Sequence, residues 1–131
     1  MSISTRVVLG MTIHGQEEGR KMKTTRASEG TPYEAAKHFH VWGVRKVGPE
    51  EGTRRLNVSQ SHFLPNGGAE MSSSDKERVY YVLRGSITVR GKNETHILEE
   101  GDLIYIAPGE EREIKVNKNE CASILVIVVT P

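Results

Sequence analysis

The sequence predicts an all-β domain, a sandwich or a barrel, and three observations carry that expectation. Short apolar segments recur along residues 38–129, each closed off by Gly, Pro, Asn or Asp. The amphipathic stretches of about 10–15 residues that alternating β and α units require are missing. Two segments, 79–83 and 124–129, are apolar at nearly every position, as in strands covered on both faces.

In chain order, a strand is expected over residues 6–13, followed by a polar stretch over 15–30 rich in Glu, Lys, Arg, Thr and Ser. Residues 1–30 thus read as an N-terminal extension whose strand adds to a sheet edge or reaches a partner subunit. Met22 offers a second start besides Met1. Residues 31–131 read as the domain proper. Thr31-Pro32-Tyr33-Glu34 has the capping-box spacing with Pro at the first helical position, which predicts a turn or two of helix. Strands are then expected over 38–47, 55–63, 78–83, 86–90, 95–98, 103–107, 112–116 and 122–129. Between them lie turn formers such as Pro65-Asn66-Gly67-Gly68, Gly91-Lys92-Asn93, Glu100-Gly101-Asp102 and Pro108-Gly109. Gly tolerates positive φ, Pro presets φ, and Asn and Asp bond their own backbone. The Gly/Ser-rich segment 67–75 lacks the lysine and strand–loop–helix setting of a phosphate loop and reads as a flexible lip over the barrel mouth.

Composition narrows the function classes. A chain of 131 residues matches one domain. Its 18 basic and 17 acidic side chains leave a net charge of +1, without the basic stripe of a nucleic-acid binder. No apolar run approaches the roughly 20 residues that span a bilayer, and the patch at 7–11 is too short for a secretory core. A cytoplasmic protein with neither nucleic-acid nor membrane partners is the expectation. Cys121 is the single cysteine, so an internal disulfide is excluded; its apolar setting predicts a buried small side chain. The two segments apolar on both faces need a further sheet or subunit outside the barrel, which predicts a homodimer.

The stretches Glu77-Arg78-Val79-Tyr80-Tyr81-Val82-Leu83-Arg84-Gly85 and Gly101-Asp102-Leu103-Ile104-Tyr105-Ile106-Ala107-Pro108-Gly109 resemble a small single-domain cupin. The resemblance covers residues 55–129 and implies a double-stranded β-helix, the jelly-roll barrel. The fold hosts many unrelated activities. In the family, the first motif supplies two histidines and a glutamate to a metal, and the second supplies one histidine. Anchored on Gly85, the first motif sets Ser72 and Ser74 at the histidines and Arg78 at the glutamate. Anchored on Gly101 and Gly109, the second sets Arg112 at its histidine; a register one residue later matches Pro108 and Asn117 and sets Glu113 there. The usual ligand set is therefore absent as a set. Ser is a poor neutral ligand and Arg a permanent cation.

In the first register Arg78 and Arg112 point inward. Two buried cations need compensation, either from Glu70, Glu77 or Glu113 or from an anionic ligand held bidentately. The plainer alternative leaves Arg78 at a strand start with its head in water. His38, His40 and Trp42 alternate onto one strand face, and a neighbouring strand brings His62 within reach. Together the three histidines are the candidates for a divalent transition metal, and His40 or His62 for an acid/base group; alternatively they are partly exposed and bonded locally. Tyr80, Tyr105, Tyr33 and Trp42 are candidate aromatic walls, or else core filler, and Ser72 and Ser74 are candidate polar contacts. His14 and His96 are given no role.

Two functions remain open at this stage. One is a binding module that takes a small, anionic, carboxylate-bearing metabolite into the barrel without a cofactor. The other is an enzyme of isomerase, epimerase, decarboxylase or dioxygenase type, using His40 or His62 as acid/base or metal ligands. A third, blander option is an interaction protein with a vestigial pocket.

Overall fold

The computed structural model describes residues 22–131. The strand expected over 6–13 lies outside the described residues. Nine strands form one antiparallel sheet: β1 (Thr31–Tyr33), β2 (His38–Val47), β3 (Leu56–Ser72), β4 (Glu77–Arg84), β5 (Ile87–Gly91), β6 (Thr95–Leu98), β7 (Leu103–Ile106), β8 (Arg112–Lys115) and β9 (Ala122–Val129). The main path runs β6-β5-β8-β3-β9-β4-β7, with β2 also on β3 and β1 on β2. The sheet curls into a nearly closed barrel, and its two edge strands, β6 and β7, line one cleft.

Alternation decides what faces inward. On β3, Ser59, Ser61 and Phe63 are buried; on β4, Tyr80 and Val82; on β5, Ile87 and Val89; on β8, Arg112 and Ile114; on β9, Ala122 and Ile124. One interior row crosses five strands through His96, Val89, Ile114, Ala69 and His38. The opposite residues form outer rows, Val58–Ile127–Val79–Tyr105 and Gln60–Leu125–Tyr81–Leu103. Residues before β1 dock on β2: Lys46 Nζ donates to the carbonyls of Arg26, Ala27 and Glu29.

Four local expectations are corrected. Thr31–Tyr33 is a strand, not a helix, because pairing with Gly43–Arg45 satisfies its backbone. Half of a capping box occurs instead at a 3-10 turn, Pro49–Glu51, where the Glu51 side chain accepts from the Gly48 N–H at 2.7 Å and the glycine has no side chain to reciprocate. Pro65–Gly68 does not end β3; the strand runs on to Ser72 and absorbs the turn formers as a bulge. Phe63 pairs with Val41 and Gly68 with Phe39, so four residues of β3 lie opposite His40 alone. Gly67 permits this: a Cβ there would sit 2.5 Å from the His40 carbonyl oxygen. Residues 67–69 are consequently buried sheet, not a lip. Cys121 is exposed, because it precedes the first inward residue of β9, Ala122. Among the described residues no helix is long and apolar enough to cross a membrane.

Candidate ligand site in the barrel

Arg112 opens β8, between Ser72 at the end of β3 and Gly91 at the end of β5. It shares parity with Ile114 and so points into the barrel, with 8% of its surface exposed. Its Nε donates to the Tyr80 hydroxyl at 3.2 Å and its Nη1 to the Ser72 carbonyl at 2.7 Å. A longer contact of 3.4 Å reaches Ser72 Oγ. Arg78 shares parity with Tyr80 and Val82 on β4, and its Nη2 donates to Ser74 Oγ at 2.8 Å. The Ser74 carbonyl in turn accepts from the Gly109 N–H at 2.7 Å, tying the β3–β4 link to the β7–β8 loop. Glu113 points to the other face, where it pairs with Arg90 at 2.8 Å. The register with Arg112 inward is the one the sheet adopts.

Positions 72, 74, 78 and 112, those that the resemblance sets against metal ligands, therefore meet as two Ser–Arg pairs. That donor set does not fit a metal. A guanidinium has no lone pair to give and carries a fixed positive charge. Among the described residues, no three His, Cys, Asp or Glu side chains are grouped to hold a metal ion.

His38 stands on the same interior wall, paired with Ala69. Its Nδ1 donates to the Ala36 carbonyl at 2.8 Å, which leaves Nε2 as an acceptor in the neutral ring. Burial first, then the charges of Arg112 and Arg78, push the imidazole below its ordinary pKa, against the opposing pull of the Ala36 bond. The two guanidinia thus add to the positive field at His38. A cavity of about 270 Å³ opens beside it, lined by Tyr33, Glu34, His38, Phe39, His40 and Ser61 among others.

The carboxylates expected to neutralise the arginines lie elsewhere. Glu70 is exposed, Glu77 accepts from the Tyr105 hydroxyl at 3.0 Å, and Glu113 is held by Arg90. Among the described residues neither Arg78 nor Arg112 has a carboxylate within ion-pair distance.

Of the three histidines singled out from sequence, His38 and His40 line one cavity, and His62 lies apart from them. The bulge at His40, whose φ is 52°, breaks the expected alternation of His38, His40 and Trp42. Trp42, 60% exposed, projects outward with its register partner His62. The two rings lie 5.7 Å apart, and His62 Nδ1 is 2.9 Å from Ser123 Oγ. Burial, then Lys46 and Arg84, lower the His62 pKa. His62 and Trp42 therefore sit on the opposite face of the sheet from Ser61, Phe63 and His38. Of the four candidate aromatic walls, Tyr80 is buried in the interior, Tyr33 lines the cavity beside His38, Tyr105 lines the cleft between β6 and β7, and Trp42 projects outward.

The sequence reading missed His96. It alternates inward with Leu98 on β6, opposite Val89. Its Nε2 donates to Glu94 Oε1 at 2.7 Å. The pair faces a cleft of about 420 Å³ between the β5–β6 hairpin and β7, with Arg112 on its wall and Glu110 and Glu111 at its edge. The signal was present: Glu94-Thr95-His96 puts both side chains on one strand face, in phase with Leu98.

An antiparallel sheet curled into a nearly closed barrel, with Ser72, Arg78 and Arg112 at or beside the termini of β3, β4 and β8, defines a cupin-type barrel. The family profile of the cupin domain matches residues 60–128, and the chain belongs to that family. A protein of Mycobacterium tuberculosis named as a beta-D-galactosidase is 37% identical over 111 residues, covering 84% of this chain and 96% of its own length. The polyketide cyclase RemF of Streptomyces resistomycificus superposes with a TM-score of 0.75 at 18% identity, over 84% of this chain and 80% of that one. A predicted oxalate decarboxylase of Thermotoga maritima gives 0.71 at 17% identity, over 83% of this chain and 100% of its own. These two structures share the fold.

Proposed function

We propose that the barrel takes up a small carboxylate-bearing metabolite, anchored on Arg112 with Arg78 beside it, without the metal typical of the family. The observation that carries this reading is a buried guanidinium with no carboxylate partner among the described residues. Isolated buried charge is costly, and the Nη2 donors, free of partners among the described residues, can make charge-assisted hydrogen bonds to a carboxylate. Neutral His38 adds an acceptor at Nε2 beside the anion site. The test is thermal stabilisation of metal-depleted protein by a set of small carboxylates. Stabilisation that disappears in Arg112→Gln supports the reading; stabilisation unchanged in that variant removes it.

A second reading is glycoside hydrolysis. It is favoured by the name of the mycobacterial relative and by the presence of Glu94, Glu110 and Glu111 on one cleft. Glycosidases generally work with two carboxyl groups, one as acid and one as nucleophile or base. Release of 4-nitrophenol from 4-nitrophenyl β-D-galactoside, lost in Glu94→Gln or in a Glu110→Gln/Glu111→Gln double variant, is its test.

The outer rows of β3, β9, β4 and β7 support a second proposal, that two copies pack through this face. Leu103 and Tyr105 are 61% and 58% exposed at its margin, and the strands behind them are apolar on both sides.

A further inference from the structure

We propose that the cleft between β6 and β7 is the outer half of the same site and that the ligand is a polyhydroxylated carboxylate, a sugar acid. Its carboxylate sits on Arg112, and its hydroxyls are read by Glu94, His96 and the neighbouring glutamates. This rests on the anion-site reading above and adds the chemical class of the ligand.

Four features of the cleft point the same way. First, Arg112 forms part of its wall, is more than nine-tenths buried with 8% exposed, and uses only Nε and Nη1 in hydrogen bonds among the described residues. Its Nη2 donors remain for a ligand. Second, the cleft edge carries Glu94, Glu110 and Glu111. Ionised carboxylates only accept hydrogen bonds. A simple carboxylate entering past them meets repulsion, so a ligand that profits from this edge brings O–H donors of its own. Third, the Glu94 carboxylate is oriented by His96 Nε2 at 2.7 Å, which leaves His96 Nδ1 as a further acceptor in the neutral ring. Fourth, the inner wall is Val89, Ile104 and Ile106, an apolar surface suited to the C–H face of a sugar ring. Gly91 lines the same cleft beside Arg112. Its own Cβ, if present, would stand 3.6 Å from the Glu94 side chain and 3.3 Å from the Glu111 carbonyl oxygen.

The experiment is calorimetric titration of the full chain with three probes: D-galacturonate, D-galactose and cyclohexanecarboxylate. The first carries both features, the second only hydroxyls, the third only the carboxylate. Galacturonate is expected to bind about tenfold or more tighter than either of the others, as one lost charged contact or its equivalent implies. Arg112→Gln should bring galacturonate down to the level of galactose. Glu94→Gln, at an exposed position that leaves the fold intact, should bring it down to the level of cyclohexanecarboxylate. Gly91→Val, which adds bulk to the cleft lining, should also weaken galacturonate. If cyclohexanecarboxylate binds as tightly as galacturonate and Glu94→Gln changes neither, the sugar-acid inference is overturned while the anion site stands. If galactose matches galacturonate and Arg112→Gln has no effect, or if none of the three binds, the anion site falls as well.

Discussion

Replacing Arg112 by Met separates a ligand-binding cation from a structural one. Methionine keeps much of the volume and removes the charge and its donors. The losses can be itemised: a 2.7 Å bond to the Ser72 carbonyl and a 3.2 Å bond to the Tyr80 hydroxyl. Leaving the carbonyl unpaired costs about 1–3 kcal/mol, while the hydroxyl can turn to another partner. Against this stands relief of a buried charge that no described carboxylate compensates, which is of the order of several kcal/mol. The two nearly cancel. The unfolding free energy of Arg112→Met should therefore stay within about 1 kcal/mol of the parent or rise above it; that interval corresponds to roughly 4 °C in Tm for a domain of this size. Carboxylate binding should vanish. The assay is urea unfolding at neutral pH, with and without a binding carboxylate. Breaking a compensated buried pair costs about 3–5 kcal/mol. A loss of that size in ligand-free Arg112→Met would show that the guanidinium is held by partners that stabilise the fold, and the argument for a vacant counter-charge would fail.

Two further outcomes follow from the same geometry. Because burial and the two guanidinia lower the His38 pKa, the folded state favours neutral imidazole. Its stabilising contribution is complete above the unfolded value of about 6.5 and is lost as pH falls below it, since the unfolded chain takes up the proton first. His38→Gln should flatten that part of the acid limb of a Tm-against-pH curve. An anion placed between Arg78 and Arg112 should raise the His38 titration followed by NMR, and a His38 midpoint that ignores a saturating carboxylate would refute its place in the site. For the outer face, light scattering at tens of micromolar protein should give twice the monomer mass. Val79→Glu, in the middle of the apolar row, should give monomer, and a monomeric parent chain ends the dimer proposal.

The strands were legible because each carries its own period and its own punctuation. β2, β6 and β9 begin and end where the sequence expects, and their turns need no distant residue to define them. What was not legible depends on partners far along the chain. Pro65-Asn66-Gly67-Gly68 carries turn chemistry, and it does turn the backbone. However, β2 on one side and β8 on the other keep the ladder running, so a bulge replaces the break. That bulge also undid the reading of His38, His40 and Trp42 as one face, since alternation predicts sidedness only across an unbroken register. Thr31–Tyr33 went the same way: capping chemistry favours a helix locally, and pairing with β2 overrides it. His96 was overlooked for the opposite reason. Its four-residue strand exposes Ile97 as well as Thr95, so polarity does not mark which face is inward, and only closure of the barrel brings His96 opposite β7.

The site itself was legible in composition and not in pairing. Two arginines and two serines at the family's metal-ligand positions mark that its usual histidine and glutamate set is missing from those positions. They do not say what replaces it. The structure supplies the pairing, Arg78 with Ser74 and Arg112 with Ser72, and this pairing is informative about selection. Had the barrel merely lost its metal, apolar side chains of similar volume would fill the positions at no cost to stability, and often with a gain. The Ser74 and Tyr80 hydroxyls and the Ser72 carbonyl, all neutral, orient the two guanidinia without neutralising them and leave the positive field intact. A preorganised, uncompensated field inside a closed sheet favours the fold less than an apolar core would. It favours an incoming anion more, because the desolvation and ordering of the arginines are already complete before the ligand arrives.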